Sequence, residues 1–162
     1  MPDMPELAPY ALVGLLAKPE LRIRTGILEI PACCLGKETD LAVHLGVGCR
    51  DLREWKVGRT PSDRKFVGLR WESLVQDIAA VLSDSTVPGY CVWVASVDIF
   101  LAGLPFRDRE RFWGFMRNTF RQSRGLVLSM PLGALNLLPE AERKLWMEFG
   151  RLSPWRDLPF GS

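Results

Sequence analysis

The chain has 162 residues, of which 48% are hydrophobic and 25% are charged, a balance typical of a globular domain and unlike that of disordered or fibrous proteins. The net charge of +2 is too small to indicate nucleic acid as the main partner, so nucleic-acid binding stays a minor hypothesis. The length favours a single domain with an N-terminal helix within residues 1–20, an α/β core over 21–150 and an irregular tail over 151–162.

The N-terminus and the cysteines indicate the compartment. The opening stretch MPDMPELAPYALVGLLAK has an apolar run of about eight residues, short of the ~20 that a membrane span needs. The four cysteines form no CxxC pair and the chain has one histidine, His44, which argues against a zinc site and favours reduced thiols. We therefore expect a cytoplasmic protein with no membrane segment.

Hydrophobic periodicity predicts alternating helices and strands. In chain order the pattern predicts a helix over residues 5–17, a strand over 27–30, a helix from 38 or 39 to 45, a candidate strand within 49–55, a loop over 56–65, a helix over 71–82, a strand over 90–97, a helix over 108–122, a strand over 125–130, a helical turn at 135–138 and a helix over 140–149. Because parallel neighbours need crossover connections, this alternation favours an α/β fold with a mostly parallel sheet flanked by helices.

The stretch around Gly36 and Lys37 is the strongest candidate site. A loop between an apolar strand and a helix directs backbone amides and the positive end of the helix dipole at an anion, and a lysine adds a mobile charge. The standard phosphate-binding motif is Gly, four residues, Gly, Lys and then Ser or Thr. Here Pro31 stands at the first Gly and Glu38 at the Ser or Thr, and Thr39 would substitute only if the loop shifted by one residue.

Two residues that follow later apolar runs support the same site. Asp98 follows the run over residues 90–97, where a phosphate-binding fold places the acid that holds Mg²⁺, although capping of a turn explains Asp98 alone equally well. Ser129 ends the next strand, where such folds place a polar residue that senses the γ-phosphate; a small polar residue at a strand end is the simpler explanation of Ser129 alone.

The segments PACCLGKET, GLRWESLVQDIAAVL, YCVWVASVDIF and RGLVLSMP together resemble the core of a small P-loop NTPase. The narrower likeness is to the compact P-loop proteins of bacterial phage-defence islands of the BREX type, and it covers most of residues 26–130. The resemblance implies a P-loop NTPase-like three-layer sandwich with ATP and Mg²⁺ as ligands. It also implies that Lys37 contacts phosphate, that Gly36 permits close approach and that Asp98 holds the metal.

Departures from the motif predict a degenerate Walker A site without catalytic residues. Glu38 removes a neutral ligand of Mg²⁺ and places a carboxylate near the β-phosphate, and Ile99 follows Asp98 where a glutamate would polarise water. Pro31 also removes one amide donor. We therefore expect weak or lost nucleotide binding and a role as a protein-interacting subunit of a larger assembly or homo-oligomer. An active small ATPase with an unorthodox loop stays open as an alternative.

A second alternative is an interaction module that uses exposed aromatic residues and no nucleotide site. The chain has six Trp and eight Phe, and large aromatics are enriched at interfaces as well as in cores. The candidates are Trp55, Trp71, Trp113, Trp146 and Trp155, of which Trp146 and Trp155 are expected to be the most exposed. Most of the arginines between residues 107 and 124 are expected to form a solvated helix face; the alternative for one of them is to bind phosphates or to act as an arginine finger towards a neighbouring subunit.

Overall fold

A parallel β-sheet runs through the part of the chain that the computed structural model describes, residues 8–59 and 70–154. Within these residues the sheet has five strands, all parallel, in the order β2-β3-β4-β1-β5. The strands are β1 (Thr25–Ile30), β2 (Gly48–Asp51), β3 (Cys91–Ala95), β4 (Gly125–Pro131) and β5 (Leu152–Pro154). The helices are α1 (Ala8–Leu16), α2 (Glu38–Leu45), α3 (Leu52–Arg59), α4 (Trp71–Leu82), α5 (Val97–Leu101), α6 (Phe106–Asn118) and α7 (Glu140–Glu148), with 3-10 turns at Ala32–Cys34 and Leu132–Leu137.

Helices cover both faces of this sheet, which confirms the predicted α/β class. Side chains alternate between the faces of each strand, so Leu28 and Val127 pack with α1 and α2 while Ile27 and Leu128 pack with α4, α6 and α7. Strands β1 and β3 are buried along their whole length, as expected of central parallel strands. The result is three layers, helices on either side of the sheet.

The helices that follow the neighbouring strands β1 and β4 pack on opposite faces of the sheet. α2 follows β1 and packs on the face that also carries α1, whereas α5, which follows β3, and α7, which follows β4, pack on the other face. Because β1 and β4 are neighbours, a crevice opens between their carboxyl ends. This is the topological switch point at which open α/β sheets bind ligands.

Several predicted elements are confirmed with small changes at their ends. The strand at β1, the helix at α2, the helix at α4, the strand at β4 and the helix at α7 all occur, and α6 begins and ends somewhat earlier than predicted. The predicted first helix corresponds to α1, and residues 5–7 of that prediction lie outside the described residues. In the described part of the chain no helix has both the length and the apolar character needed to cross a bilayer.

The candidate strand within residues 49–55 occurs as β2, shorter than predicted, and the interpretation of residues 52–59 was wrong. The strand ends at Asp51, and a helix, α3, takes the place of the remaining strand and the start of the loop, while residues 60–65 lie outside the described residues. The Asp51 carboxylate accepts a hydrogen bond from the backbone amide of Glu54, 3.1 Å away, and so caps the first turn. Leu52 is the one buried residue among residues 52–58, and the helix is short and mostly polar, so it gives little sequence signal.

The ends of two other strands also differ from prediction. The strand expected over residues 90–97 is β3, which stops at Ala95, because Ser96 adopts a left-handed conformation with φ of 70° and turns the chain into α5. The tail from residue 151 was expected to be irregular, yet Leu152–Pro154 forms β5 and pairs with β1. A three-residue strand is too short to show any period. Residues 155–162 lie outside the described residues.

The candidate interface tryptophans that the structure describes are buried or half-buried. Trp113 and Trp146 are both fully buried, with ring centroids 6.1 Å apart in an edge-to-face arrangement, so the expected exposure of Trp146 is wrong. The Arg151 guanidinium lies over the Trp146 ring, 4.6 Å from its centroid. Trp55 and Trp71 are half-buried, and Trp155 lies outside the described residues.

Candidate functional site

A cavity of about 430 Å³ opens at the switch point, at the carboxyl ends of β1, β3 and β4. Three of the predicted site residues, Glu38, Asp98 and Ser129, line this cavity. Ser96, which the sequence analysis did not single out, lines it as well. Ser96 follows the carboxyl end of a buried strand, so the argument that selected Ser129 would also have selected Ser96 had the end of β3 been placed correctly.

The other three predicted residues, Gly36, Lys37 and Thr39, do not line the cavity. Lys37 is exposed at the N-cap of α2, and no described carboxylate lies within ion-pair distance of it. Thr39 is exposed, and Gly36 has a φ of 81° that forms the turn into α2. The structure therefore brings Glu38, Asp98 and Ser129 together at one cavity and leaves Lys37 outside it.

The loop between β1 and α2 forms hydrogen bonds between its own backbone groups. The backbone amide of Cys34 donates to the carbonyl of Pro31 at 2.9 Å, that of Leu35 to Ala32 at 3.1 Å, and that of Lys37 to Cys34 at 3.1 Å. A phosphate-binding loop instead directs its amides at one anion. In this conformation three of the loop amides are already paired within the loop.

Asp98 lies in the first turn of α5, and not at a strand end as expected, because β3 stops earlier. Ser96 turns the chain at this point, and its hydroxyl donates a 2.6 Å hydrogen bond to the Asp51 carboxylate at the end of β2. Ser96 is the one non-glycine residue of the described chain with positive φ, a conformation that costs of order 1 kcal/mol and persists where neighbouring contacts hold it. The Ser96–Asp51 bond is such a contact, and it fixes the start of α5.

Burial raises the pKa of the Asp98 carboxyl above its ordinary value. The backbone amides of Asp98 and Ile99 oppose this rise, and the negative charge of Asp51 adds to it. No lysine or arginine is among the described residues that line the cavity. Asp98 is thus an acid held in the cavity without a neighbouring cation to stabilise its charged form.

Replacing Asp98 with asparagine is expected to stabilise the protein at neutral pH, by about 1–3 °C in Tm. The raised pKa means that the folded chain binds the Asp98 proton more readily than the unfolded chain, so ionised Asp98 costs stability above its folded pKa. This cost fades as the pH falls through the folded pKa towards the unfolded value of about 3.9. Thermal unfolding of wild type and D98N between pH 4 and pH 7.5 measures the trend.

The matched control is Asp40→Asn, which alters an exposed acid in the first turn of α2. Loss of that favourable helix-terminus charge is expected to lower stability slightly at pH 7. A D98N variant that is less stable than wild type at pH 7, or whose gain persists unchanged at pH 4, contradicts the electrostatic account of Asp98.

The lining of this cavity offers the phosphates of the implied ATP no lysine or arginine among the described residues. Within residues 8–59 and 70–154 no three His, Cys, Asp or Glu side chains are grouped to hold a metal ion by protein ligands alone. Glu38 and Asp98 both line the cavity in which a nucleotide would sit, and three of the loop amides are paired internally.

Ser129 is an unpartnered polar group in the wall of the cavity. The residue is 1% exposed, and its side chain makes no hydrogen bond with any residue that the structure describes. Buried hydroxyls are usually paired, so an unpaired one at a cavity marks a place for a ligand or water.

In comparisons with known proteins, no family model matches this chain, and no curated protein matches it.

Proposed function

We propose that this chain is a degenerate P-loop NTPase-like domain that binds nucleotide weakly or not at all and acts through contacts with other proteins. The observation that carries this proposal is the lining of the switch-point cavity, which has two carboxylates, Glu38 and Asp98, and no lysine or arginine from the described residues. A nucleotide placed there would bring its phosphates towards both acids. Two like charges about 4 Å apart repel by about 4 kcal/mol at an effective dielectric constant of 20.

The conformation of the loop supports the same proposal. A nucleotide would need the amides of Cys34, Leu35 and Lys37, and binding would first have to break their hydrogen bonds within the loop. Lys37 on the exposed start of α2 would also have to move towards the cavity. Each change subtracts from the affinity that a preformed loop provides.

The setting that we propose is a larger bacterial assembly in the cytoplasm. The likeness of PACCLGKET and the following segments to P-loop proteins of BREX-type islands is the reason for proposing phage defence. In that setting the domain serves as a structural or regulatory subunit and contributes no hydrolysis of its own. The burial of Trp113 and Trp146 favours this proposal over a module built on exposed tryptophans.

Calorimetric titration of ATP with Mg²⁺ into wild type and Lys37→Ala tests the proposal. We expect no saturable heat below about 1 mM nucleotide in either protein, because the cavity carries acids and the lysine lies outside it. Micromolar binding that Lys37→Ala abolishes would overturn the proposal in favour of the active ATPase. Thermal unfolding of both proteins provides the control that they are equally folded.

A further inference from the structure

The mouth of the switch-point cavity is apolar and exposed. Leu35, Ile99 and Leu132 line the cavity, and their exposed fractions are 47%, 47% and 49%. They come from three separate parts of the chain: the loop after β1, the first turns of α5 and the 3-10 turn after β4. Large apolar side chains that are half exposed around one opening are typical of a surface that another molecule covers.

The polar residues in the lining of the same cavity are two acids and two serines, set among apolar residues and without a lysine or arginine from the described part of the chain. The Glu38 side chain has no hydrogen-bond or ion-pair partner among the described residues, and Asp98 has no neighbouring lysine or arginine in the lining. Ser129 adds a buried hydroxyl that is also unpaired. A ligand for this cavity therefore carries positive charge and several N–H donors, with apolar groups beside them.

We propose that this cavity receives an arginine side chain of a partner protein, and that apolar residues next to that arginine cover Leu35, Ile99 and Leu132. The proposal rests on the proposed function, because it names the chemistry of the protein contact that replaces nucleotide binding. A guanidinium has five N–H donors in a plane, enough to serve both carboxylates and the Ser129 hydroxyl. Its aliphatic stem packs against the apolar rim.

Other occupants fit the cavity less well. A phosphate or a nucleic-acid backbone meets two carboxylates, and a divalent metal finds no group of three ligands within the described residues. A purely apolar side chain would bury the Glu38 carboxylate and the Ser129 hydroxyl without a partner, which costs more than its own burial returns. The volume of about 430 Å³ also exceeds what a single ion requires.

The probe is the peptide acetyl-Leu-Arg-Leu-amide, titrated into ¹⁵N-labelled protein and followed by amide chemical shifts. Its matched control is the same peptide with citrulline, which keeps the shape of arginine and lacks the charge. We expect saturable shifts centred on Ser96, Ile99 and Ser129, and an affinity at least tenfold higher for the arginine peptide. A tenfold difference corresponds to about 1.4 kcal/mol, modest for a charge-assisted contact in a partly buried site.

Three substitutions locate the contact. Glu38→Gln and Asp98→Asn are each expected to weaken the arginine peptide at least threefold and to leave the citrulline peptide unchanged. Asp40→Asn, which removes an acid of α2 outside the lining, is expected to change neither. The thermal unfolding of all three variants shows whether they remain folded.

Several outcomes overturn the inference: equal affinity for the two peptides, equal affinity for a lysine peptide, shifts away from the cavity, or no saturable shift up to about 10 mM. ATP with Mg²⁺ is titrated into the same sample, which separates the two proposals. Micromolar ATP binding would contradict the proposed function. If neither ATP nor the peptide binds, the result contradicts this inference and agrees with the proposed function.

Discussion

Replacing Arg143 with alanine is expected to lower the free energy of unfolding by about 3–5 kcal/mol. Glu29 lies in the central strand β1 and its side chain is 2% exposed. Arg143 of α7 holds that carboxylate with two hydrogen bonds, Nε to Oε2 at 2.7 Å and Nη2 to Oε1 at 2.9 Å. Removing the guanidinium leaves a buried charge without a partner, which is far more costly than losing an exposed ion pair.

Urea unfolding of R143A measures this loss, and two variants serve as controls. Lys144→Ala breaks an exposed pair with Glu140, whose side chains are 71% and 86% exposed, and is expected to change stability by less than about 0.5 kcal/mol. The double variant Glu29→Leu with Arg143→Leu removes both charges together and is expected to recover most of the R143A loss. A loss below about 1 kcal/mol in R143A contradicts the assignment of Glu29 as a buried, dependent charge.

This ion pair shows which parts of the fold a sequence pattern can predict. The helix at Trp71–Leu82 was predicted with its observed ends because Leu74, Ile78 and Leu82 repeat on one buried face. The partner of Glu29, in contrast, is 114 residues away, and no local period connects the two. Patterns within one element predict which side is buried, whereas pairs between distant elements depend on how those elements pack.

The sequence likewise predicted one part of the candidate site and not the other. Glu38, Asp98 and Ser129 follow apolar strands or begin the next element, so the geometry of a parallel sheet was enough to predict that they share one edge. The direction of the loop amides and the position of Lys37 depend on a 3-10 turn at Ala32–Cys34. Pro31 and Glu38 indicated a departure from the phosphate-binding motif, but a three-residue 3-10 turn has no period by which the direction of the loop amides could be predicted.

The placement of Asp98 illustrates how one residue changes the geometry of a site. The apolar run continues through Val97, and the period alone gives no reason to end β3 at Ala95. The left-handed turn at Ser96 moves Asp98 from the expected strand end onto α5. A candidate site is therefore where local pattern and tertiary structure are most expected to disagree.

The second large effect is expected from Gly125→Ala, at the start of β4. A methyl group built at Gly125 would lie 2.7 Å from the carbonyl oxygen of Leu16 and 3.2 Å from the sulfur of Cys91, both well inside normal contact distance. Leu16 ends α1, and its carbonyl also accepts a 2.8 Å hydrogen bond from Nε of Arg24. The same guanidinium donates through Nη1 to the carbonyl of Ser123 at 2.6 Å.

The added methyl group therefore has to displace the end of α1 and weaken the contact through which Arg24 joins that helix to the chain before β4. We expect Gly125→Ala to lose about 3 kcal/mol, the upper part of the range for overpacking a core, since the obstructing atom is backbone. The matched control is Gly14→Ala in α1, where nothing lies within 4 Å of the new methyl group and the helix gains about 1 kcal/mol from alanine. Urea unfolding should thus separate the two glycine variants by about 4 kcal/mol, and similar stabilities would show that α1 does not pack on β4 through the Leu16 carbonyl.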